Sequence, residues 1–314
     1  MTLAISGTTG ITLAGQFDSA STFGFRNRII NGLMAIDARN AAASQTFTAA
    51  AALAYSVDRW YGFCTGANVT GQQVAGSTTP SVTQFRYRFT GAASVATVGF
   101  GQRIEQKNCY DLAGSTCTLS ADLAISATLT TVTWTASYAT TTADTFGTLA
   151  SPTVTQIATG TFTVSATVTN FSTNISVPAA ATTGIQIVFT IGALTAGLTW
   201  TIGNVQFEKG STATSFDYRP YGTELALCQR YYQAQQSVTY GFASPAVGYT
   251  YFQRYDFRVT MRIAPAITYT YGTQTNLSAL SPTAYTPDFS MVSYTSNAAG
   301  NSQWVLALAI TAEL

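Results

Sequence analysis

Two glutamates are the residues best placed for bond-breaking chemistry: Glu105, in GQRIEQ, and Glu208, in VQFEKG. A pair of carboxyl groups across a cleft is what glycoside hydrolysis requires, one as acid and the other as base or nucleophile. Most other enzyme templates are closed, because the chain has no histidine. A Ser-His-Asp triad, a Cys-His pair and a His-ligated metal all need that ring. No Gly-rich phosphate loop and no dinucleotide fingerprint is present. With 13 acidic residues in the chain, carboxylate pairs arise easily. Each glutamate is explained as well by a bond to a backbone N–H or an arginine near a strand end. Hydrolysis is therefore the third reading.

Binding chemistry has more to draw on: 17 Tyr, 18 Phe and 4 Trp. Sugar recognition needs aromatic faces to stack on, with amides and carboxylates around them. Trp60, in DRWYG, reads as a core anchor. Tyr61, Tyr110 and Tyr138, in or near loops, are the glycan-contact candidates. Arg254, Arg258 and Arg262, alternating with Asp256 on one strand face, have the spacing to meet an anionic glycan; ion pairing between strands or subunits is the plainer explanation. Four cysteines, Cys64, Cys109, Cys117 and Cys228, form no CxxC pair and do not suggest zinc. Cys109 and Cys117 have the spacing to bridge a hairpin, but buried reduced thiols are expected of a protein folded in a cytoplasm. Nothing calls for a cofactor.

Only 9% of the 314 residues are charged, against about 25% on average. Threonine, serine, alanine and glycine take their place, and the only lysines are Lys107 and Lys209. A polar but uncharged exterior suits a subunit packed against neighbours. The net charge of +1 and the lack of a basic run argue against nucleic acid as a partner. No run of about 18 apolar residues is present to insert in a membrane. The amino-terminal MTLAISGTTGITLAG lacks the basic start and long apolar stretch of a signal peptide, so assembly in a bacterial cytoplasm is expected.

The elements that must position these residues are strands. Phe85, Tyr87 and Phe89 alternate with Gln84, Arg86 and Arg88; Phe162 to Val168 and Ile185 to Ile191 repeat the pattern. In Leu198 to Phe207 the apolar parity changes across Gly203-Asn204, as a bulge requires. Many short strands with threonine-rich outer faces predict an antiparallel β-sandwich. The one helix expected is Thr223 to Gln233, with Thr223 as N-cap. A smaller C-terminal β-domain comes after it, opening with a strand from Tyr249 to Ile263 that Pro265 ends. Its last strand, Gln303 to Thr311, is apolar on both faces. That pattern fits a central strand or a subunit interface. Trp304, Val305, Leu306, Ala307 and Leu308 are read as interface residues of a homotrimer.

Three motifs occur in one order: FRNRIINGLMAIDARN from Phe25, YSVDRWYG from Tyr55, and WTIGNVQFEKGSTATSFDYRPYGTELALCQRYYQ from Trp200. Together they resemble tailed-bacteriophage virion proteins of the tail-fibre or receptor-binding kind. The resemblance implies a jelly roll like that of carbohydrate-binding modules over residues 26–218, a linker helix over 219–235 and the C-terminal domain over 236–314. Residues 1–25 are similar to a peptide that precedes the jelly roll in such proteins, which implies an extended docking arm. It further implies a non-enzymatic virion protein, a short tail fibre or receptor-binding subunit meeting host surface glycan and other virion proteins. A capsid decoration or head-fibre protein that stabilises the shell is the alternative. Carbohydrate-binding modules often hold a structural calcium near their first and last strands. The positions to match are Asn31-Gly32 with Asp37, and Gly203-Asn204, where a charged ligand is missing; no metal is expected.

Overall fold

The computed structural model describes residues 4–6, 10–12, 25–50, 53–76, 84–126, 129–244, 246–278 and 281–314. Near the amino terminus β1 (Ala4–Ser6) and β2 (Gly10–Thr12) pair with each other. Apart from Phe25, the rest of the expected docking arm lies outside the described residues.

Period-two alternation produces two stacked antiparallel sheets. Their strands are β3 (Gln45–Phe47), β4 (Ala54–Tyr55), β5 (Tyr61–Thr65), β6 (Val69–Ala75), β7 (Phe85–Thr90), β8 (Thr97–Ile104), β9 (Thr116–Ile125), β10 (Thr131–Ala139), β11 (Val154–Thr163), β12 (Thr169–Ser176), β13 (Ile185–Ile191) and β14 (Thr199–Lys209). One sheet has the order β11-β10-β13-β8-β5-β4, the other β12-β9-β14-β7-β6-β3. This is the expected jelly-roll sandwich. Ile185, Ile187, Phe189 and Ile191 all point inward from β13. The pattern from Phe162 to Val168 does not stay in one strand, because β11 stops at Thr163 and the chain turns.

Aromatic rings fill the space between the sheets. Trp60 stacks on Phe100 at 4.9 Å, Tyr87 on Phe100 at 4.8 Å, and Phe89 on Trp200 at 5.4 Å. Trp60, Tyr87, Phe89 and Trp200 are buried and Phe85 is half-buried at the strand's end. Each fully buried ring contributes about 1.5–3 kcal/mol. The Trp60 indole N–H also donates to the Asn31 carbonyl at 3.0 Å. In β14 the register against β9 shifts between Gly203 and Gln206, with Asn204 at φ +46°. That is the bulge the parity change predicts.

The helix α1 covers Tyr221–Gln229, earlier at both ends than Thr223 to Gln233. Pro220, at φ −54°, takes the N-cap position and its carbonyl accepts from Thr223 and Glu224. Tyr231 leaves the helix, and Tyr232 begins the next strand.

Six strands build the C-terminal domain: β15 (Tyr232–Ser244), β16 (Thr250–Asp256), β17 (Ala266–Thr275), β18 (Ser281–Tyr285), β19 (Phe289–Thr295) and β20 (Gly300–Thr311). They form two three-stranded sheets, β15-β20-β17 and β16-β19-β18. The strand expected from Tyr249 to Ile263 ends at Asp256. Beyond it, backbone N–H groups find partners outside any sheet: Arg258 on Gln233, Met261 on Pro287, Arg262 on Arg230. The final strand, β20, lies at the centre of its sheet. Leu306, Leu308 and Ile310 are buried in this domain's own core with Val292, Tyr294 and Met261. Intramolecular packing, not a trimer contact, thus accounts for Leu306 and Leu308. Ala307 is half-buried, while the side chains of Trp304 and Val305 lie outside the described part.

The domain is tied back to the jelly roll. The Glu313 carboxylate accepts from Arg59 and, at 2.9 Å, from Arg39. The Leu314 carbonyl accepts from Tyr55 at 2.7 Å and Arg103 at 2.8 Å. Ile30, Ile36, Cys228 and Tyr231 pack as an apolar cluster beside this contact.

Candidate binding groove

β5 and β8 meet in a register that sets Tyr61 opposite Gly101 and Phe63 opposite Gly99. On β8, Val98, Phe100 and Gln102 point into the sandwich, so Gly99, Gly101 and Arg103 face outward. Where a neighbouring strand has only glycine, a ring has room to lie across the sheet. A Cβ on Gly99 would sit 2.1 Å from the Phe63 ring, and one on Gly101 2.7 Å from the Tyr61 hydroxyl. Both rings therefore occupy the space that side chains at 99 and 101 would need.

β13 extends this outer face with Gln186 and Val188, opposite Arg103 and Gly101. The segment after β10 supplies Phe146, Thr148, Leu149 and Pro152. Together they enclose two adjoining hollows of about 190 and 510 Å³ that share Phe63, Thr148 and Leu149. Among the described residues Arg103 is the one charged side chain in the lining, and it is committed. It donates to Gln186 Oε1 at 3.0 Å, to the Gly147 carbonyl at 3.0 Å and to the Leu314 carbonyl at 2.8 Å. The groove thus offers an aromatic and aliphatic floor with one cation at its edge, Arg103, whose donors are taken up by neutral oxygens. Thr65, Thr148 and the Gln186 amide are its polar groups; the Gln186 NH2 has no acceptor among the described residues.

Of the residues expected to meet glycan, only Tyr61 belongs to this groove, and it is 1% exposed. Arg103 and Tyr55 cover its ring at 5.4 and 6.1 Å. Tyr61 supports the floor and is not a free contact. Tyr110 is exposed on a short 3-10 turn, away from these hollows. Tyr138 is half-buried against the core from the inner side of β10. The three arginines do not share a strand face. Arg254 pairs with Asp256 at 2.7 Å and lies over Phe289; Arg258 is past the strand's end; Arg262 donates to the Ala312 and Glu313 carbonyls at 2.8 and 3.1 Å.

Neither glutamate lines the groove. Glu105 is buried with Arg230 at 2.9 Å and the Tyr231 hydroxyl at 2.8 Å. Burial acts to raise its pKa, yet the hydrogen bonds from Arg230 and Tyr231 prevail and hold the carboxyl below the usual range. Glu208 accepts from Gln206 at 2.8 Å and from the Thr214 N–H and hydroxyl at 2.9 and 2.6 Å. Both carboxylates are engaged as structural acceptors.

Most polar groups at the calcium positions have partners, although Asn204 Oδ1 has none among the described residues. Asn31 bonds Ile36 and the Asp58 carbonyl, Asp37 caps Asn40 and Ala42, and Asn204 holds Asp122 at 2.7 Å. A Cβ on Gly32 would lie 2.1 Å from the Val205 carbonyl oxygen, so direct backbone contact fills the space between first segment and last strand. All four cysteines are free and buried. Burial pushes Cys109 up to about 12 and Cys117 up to about 11.

Sequence reasoning missed Phe63, Gln186, Val188 and Leu149. The signal was present as glycine at alternate positions, Gly99 and Gly101, in a strand that pairs with Tyr61-Gly62-Phe63.

No known protein-family profile matches the sequence, and no curated protein does either. Among solved structures the chain is similar to the enzymatically active domain of Bacteriophage CBA120 tailspike protein 4, at 15% identity and a TM-score of 0.37. That match covers 59% of this chain and only 22% of the tailspike chain. A CBM4 structure matches at 16% identity and a TM-score of 0.36, over 57% of this chain and 98% of that one. The C-terminal family 22 carbohydrate binding module of Clostridium thermocellum Xyn10B matches at 13% identity and 0.34, over 51% and 91%.

Proposed function

We propose that this chain is a non-catalytic virion protein of a tailed bacteriophage that binds host surface glycan in the groove floored by Phe63. The observation that carries this reading is the Phe63 ring laid across Gly99, half-exposed beside Val188 and Leu149. A flat ring held in place before binding stacks on the C–H face of a sugar without first losing side-chain freedom. The mainly apolar lining, in which the donors of Arg103 are already engaged, favours a neutral glycan, and two adjoining hollows suit several linked sugars. The sequence resemblance supports the virion setting, as a tail fibre or receptor-binding subunit. A homotrimer belongs to the same proposal. With Leu306 and Leu308 inside the domain's own core, the face of β20 that carries Ala307 and Ala309 is the one left for a contact between copies.

The test is a glycan array and calorimetry with host lipopolysaccharide, comparing the protein with Phe63→Ala. Binding that weakens at least about tenfold in the variant, with an unchanged melting temperature, is the expected result. Equal binding by both proteins would remove the groove from the proposal. No binding to any host glycan, with the chain located on the capsid by electron microscopy, would favour the shell-stabilising alternative.

A further inference from the structure

Tyr218 and Tyr221 are 54% and 61% exposed, whereas few other described aromatic rings are exposed. They flank Arg219-Pro220, and neither hydroxyl has a partner among the described residues. Between them and Leu33, Ile36 and Phe85 lies a hollow of about 380 Å³. That is within the roughly 300–1,000 Å³ of small-molecule sites, and it shares no lining residue with the Phe63 groove. The hollow sits beside the other sheet, where the first segment, the start of β7 and the entry to α1 come together.

Its walls carry polar groups as well as rings. Gln84 is exposed at the start of β7. Arg219 and Glu224 are buried and form an ion pair at 3.1 Å, so the wall has no net charge. Arg219 also donates to the Asn27 and Ile29 carbonyls, while its Nε–H finds no acceptor among the described residues. Glu224 Oε1 accepts from the Asn31 N–H and from Arg219; Oε2 accepts from Arg219 alone. A carboxylate oxygen accepts about two hydrogen bonds, so Oε2 has capacity left. The same pair fixes the wall's shape, since Arg219 and Glu224 bind the backbone of residues 27–31 from opposite ends.

We infer that this hollow is a second saccharide site, taking one neutral pyranose ring. The tyrosine and Phe85 faces meet the C–H side of the ring, while neighbouring hydroxyls donate to Glu224 Oε2 and exchange hydrogen bonds with the Gln84 amide. Stacking explains the exposed rings, the compensated ion pair explains the preference for a neutral ligand, and the enclosed volume limits occupancy to one sugar with its substituents. The inference does not depend on the Phe63 groove being a glycan site. If both sites are filled by one polysaccharide, the second contact is intramolecular and raises avidity without new affinity at either.

Saturation-transfer NMR on the full chain tests it, with the methyl glycosides of glucose, galactose, mannose and rhamnose as probes. At least one glycoside should receive saturation from the wild type and from Phe63→Ala, and should lose it in Tyr218→Ala/Tyr221→Ala. Both tyrosines are exposed, so the melting temperature of the double variant should not move. If it does move, Gln84→Ala provides the same comparison from a side chain outside the core. Absence of transfer to all four probes, or transfer that survives the tyrosine substitutions, overturns the site. So does transfer that disappears in Phe63→Ala alone, which would leave the groove as the binding site. A double variant with unchanged transfer but a smaller mass by light scattering would overturn it too, and would assign this face to a second copy of the chain.

Discussion

Asp58 shows how far a side chain's surroundings can shift its chemistry. It is 1% exposed, and its carboxyl is raised to about 7. Burial is the main cause, the charges of Glu313 and Asp37 add to it, and Arg39 and the Ala38 N–H oppose it. An ordinary aspartate ionises near 3.9. Between about pH 4 and 7 the unfolded chain has therefore given up a proton that the folded chain keeps. Because the folded state binds more protons there, stability falls as pH rises through that window and stays lowered above it. Asp58→Asn cannot ionise, so it should be the more stable protein near pH 8 and hold no such advantage near pH 4. Urea unfolding at the two pH values measures this; a difference between the proteins that does not change with pH would rule it out. Sequence identified Trp60 as a core anchor, since a large ring among charged neighbours has few other places to go. It did not reveal that Tyr61, one position on, is equally buried. That depends on Gly101, Tyr55 and Arg103, all brought to it by other strands.

At the scale of elements, alternation was readable wherever a strand's faces differ in chemistry, as from Ile185 to Ile191, and so was the bulge at Gly203-Asn204. The boundaries that failed were decided by partners far along the chain. β16 stops at Asp256 because the N–H groups beyond it bond Gln233, Pro287 and Arg230, and no local pattern records that. The glycines of β8 illustrate the same limit. Strand propensity favours valine over glycine at position 99, yet the cross-strand ring requires the smaller residue. Gly99→Val should force Phe63 off the sheet, cost about 1–3 kcal/mol as overpacking does, and weaken glycan binding along with it. Gly192→Ala is the control, because a Cβ there meets only Leu129, at 3.8 Å; its effect should stay within about 0.5 kcal/mol. Denaturant melts and glycan titration on both variants separate the two effects. A Gly99→Val protein that binds as well as wild type would mean the ring's position is not what the groove uses.

For the whole molecule, the final strand was the hardest segment to place from sequence. Apolar residues on both faces signal burial without saying what covers them; here the chain itself covers the face of Leu306, Leu308 and Ile310, while Ala307 and Ala309 on the other face stay half-exposed. The short segment after β20 then joins the two domains. The Glu313 side chain is 5% exposed, Arg59's is 1% and Arg39's 15%, and the one carboxylate answers both guanidinium groups. Burying two cations is costly unless an anion accompanies them, and removing one partner of such a pair leaves charge stranded in a low dielectric. Glu313→Ala should thus destabilise the protein by about 3–5 kcal/mol, far more than loss of an exposed ion pair such as Arg254–Asp256, where about 0–1 kcal/mol is expected. The contact also couples the domains, so wild type should unfold in one urea transition and the variant in two, the C-terminal domain first. If Glu313→Ala keeps both the wild-type midpoint and a single transition, the arginine cluster is not what holds the domains together, and the apolar contact around Tyr231, Cys228 and Leu314 must do so alone.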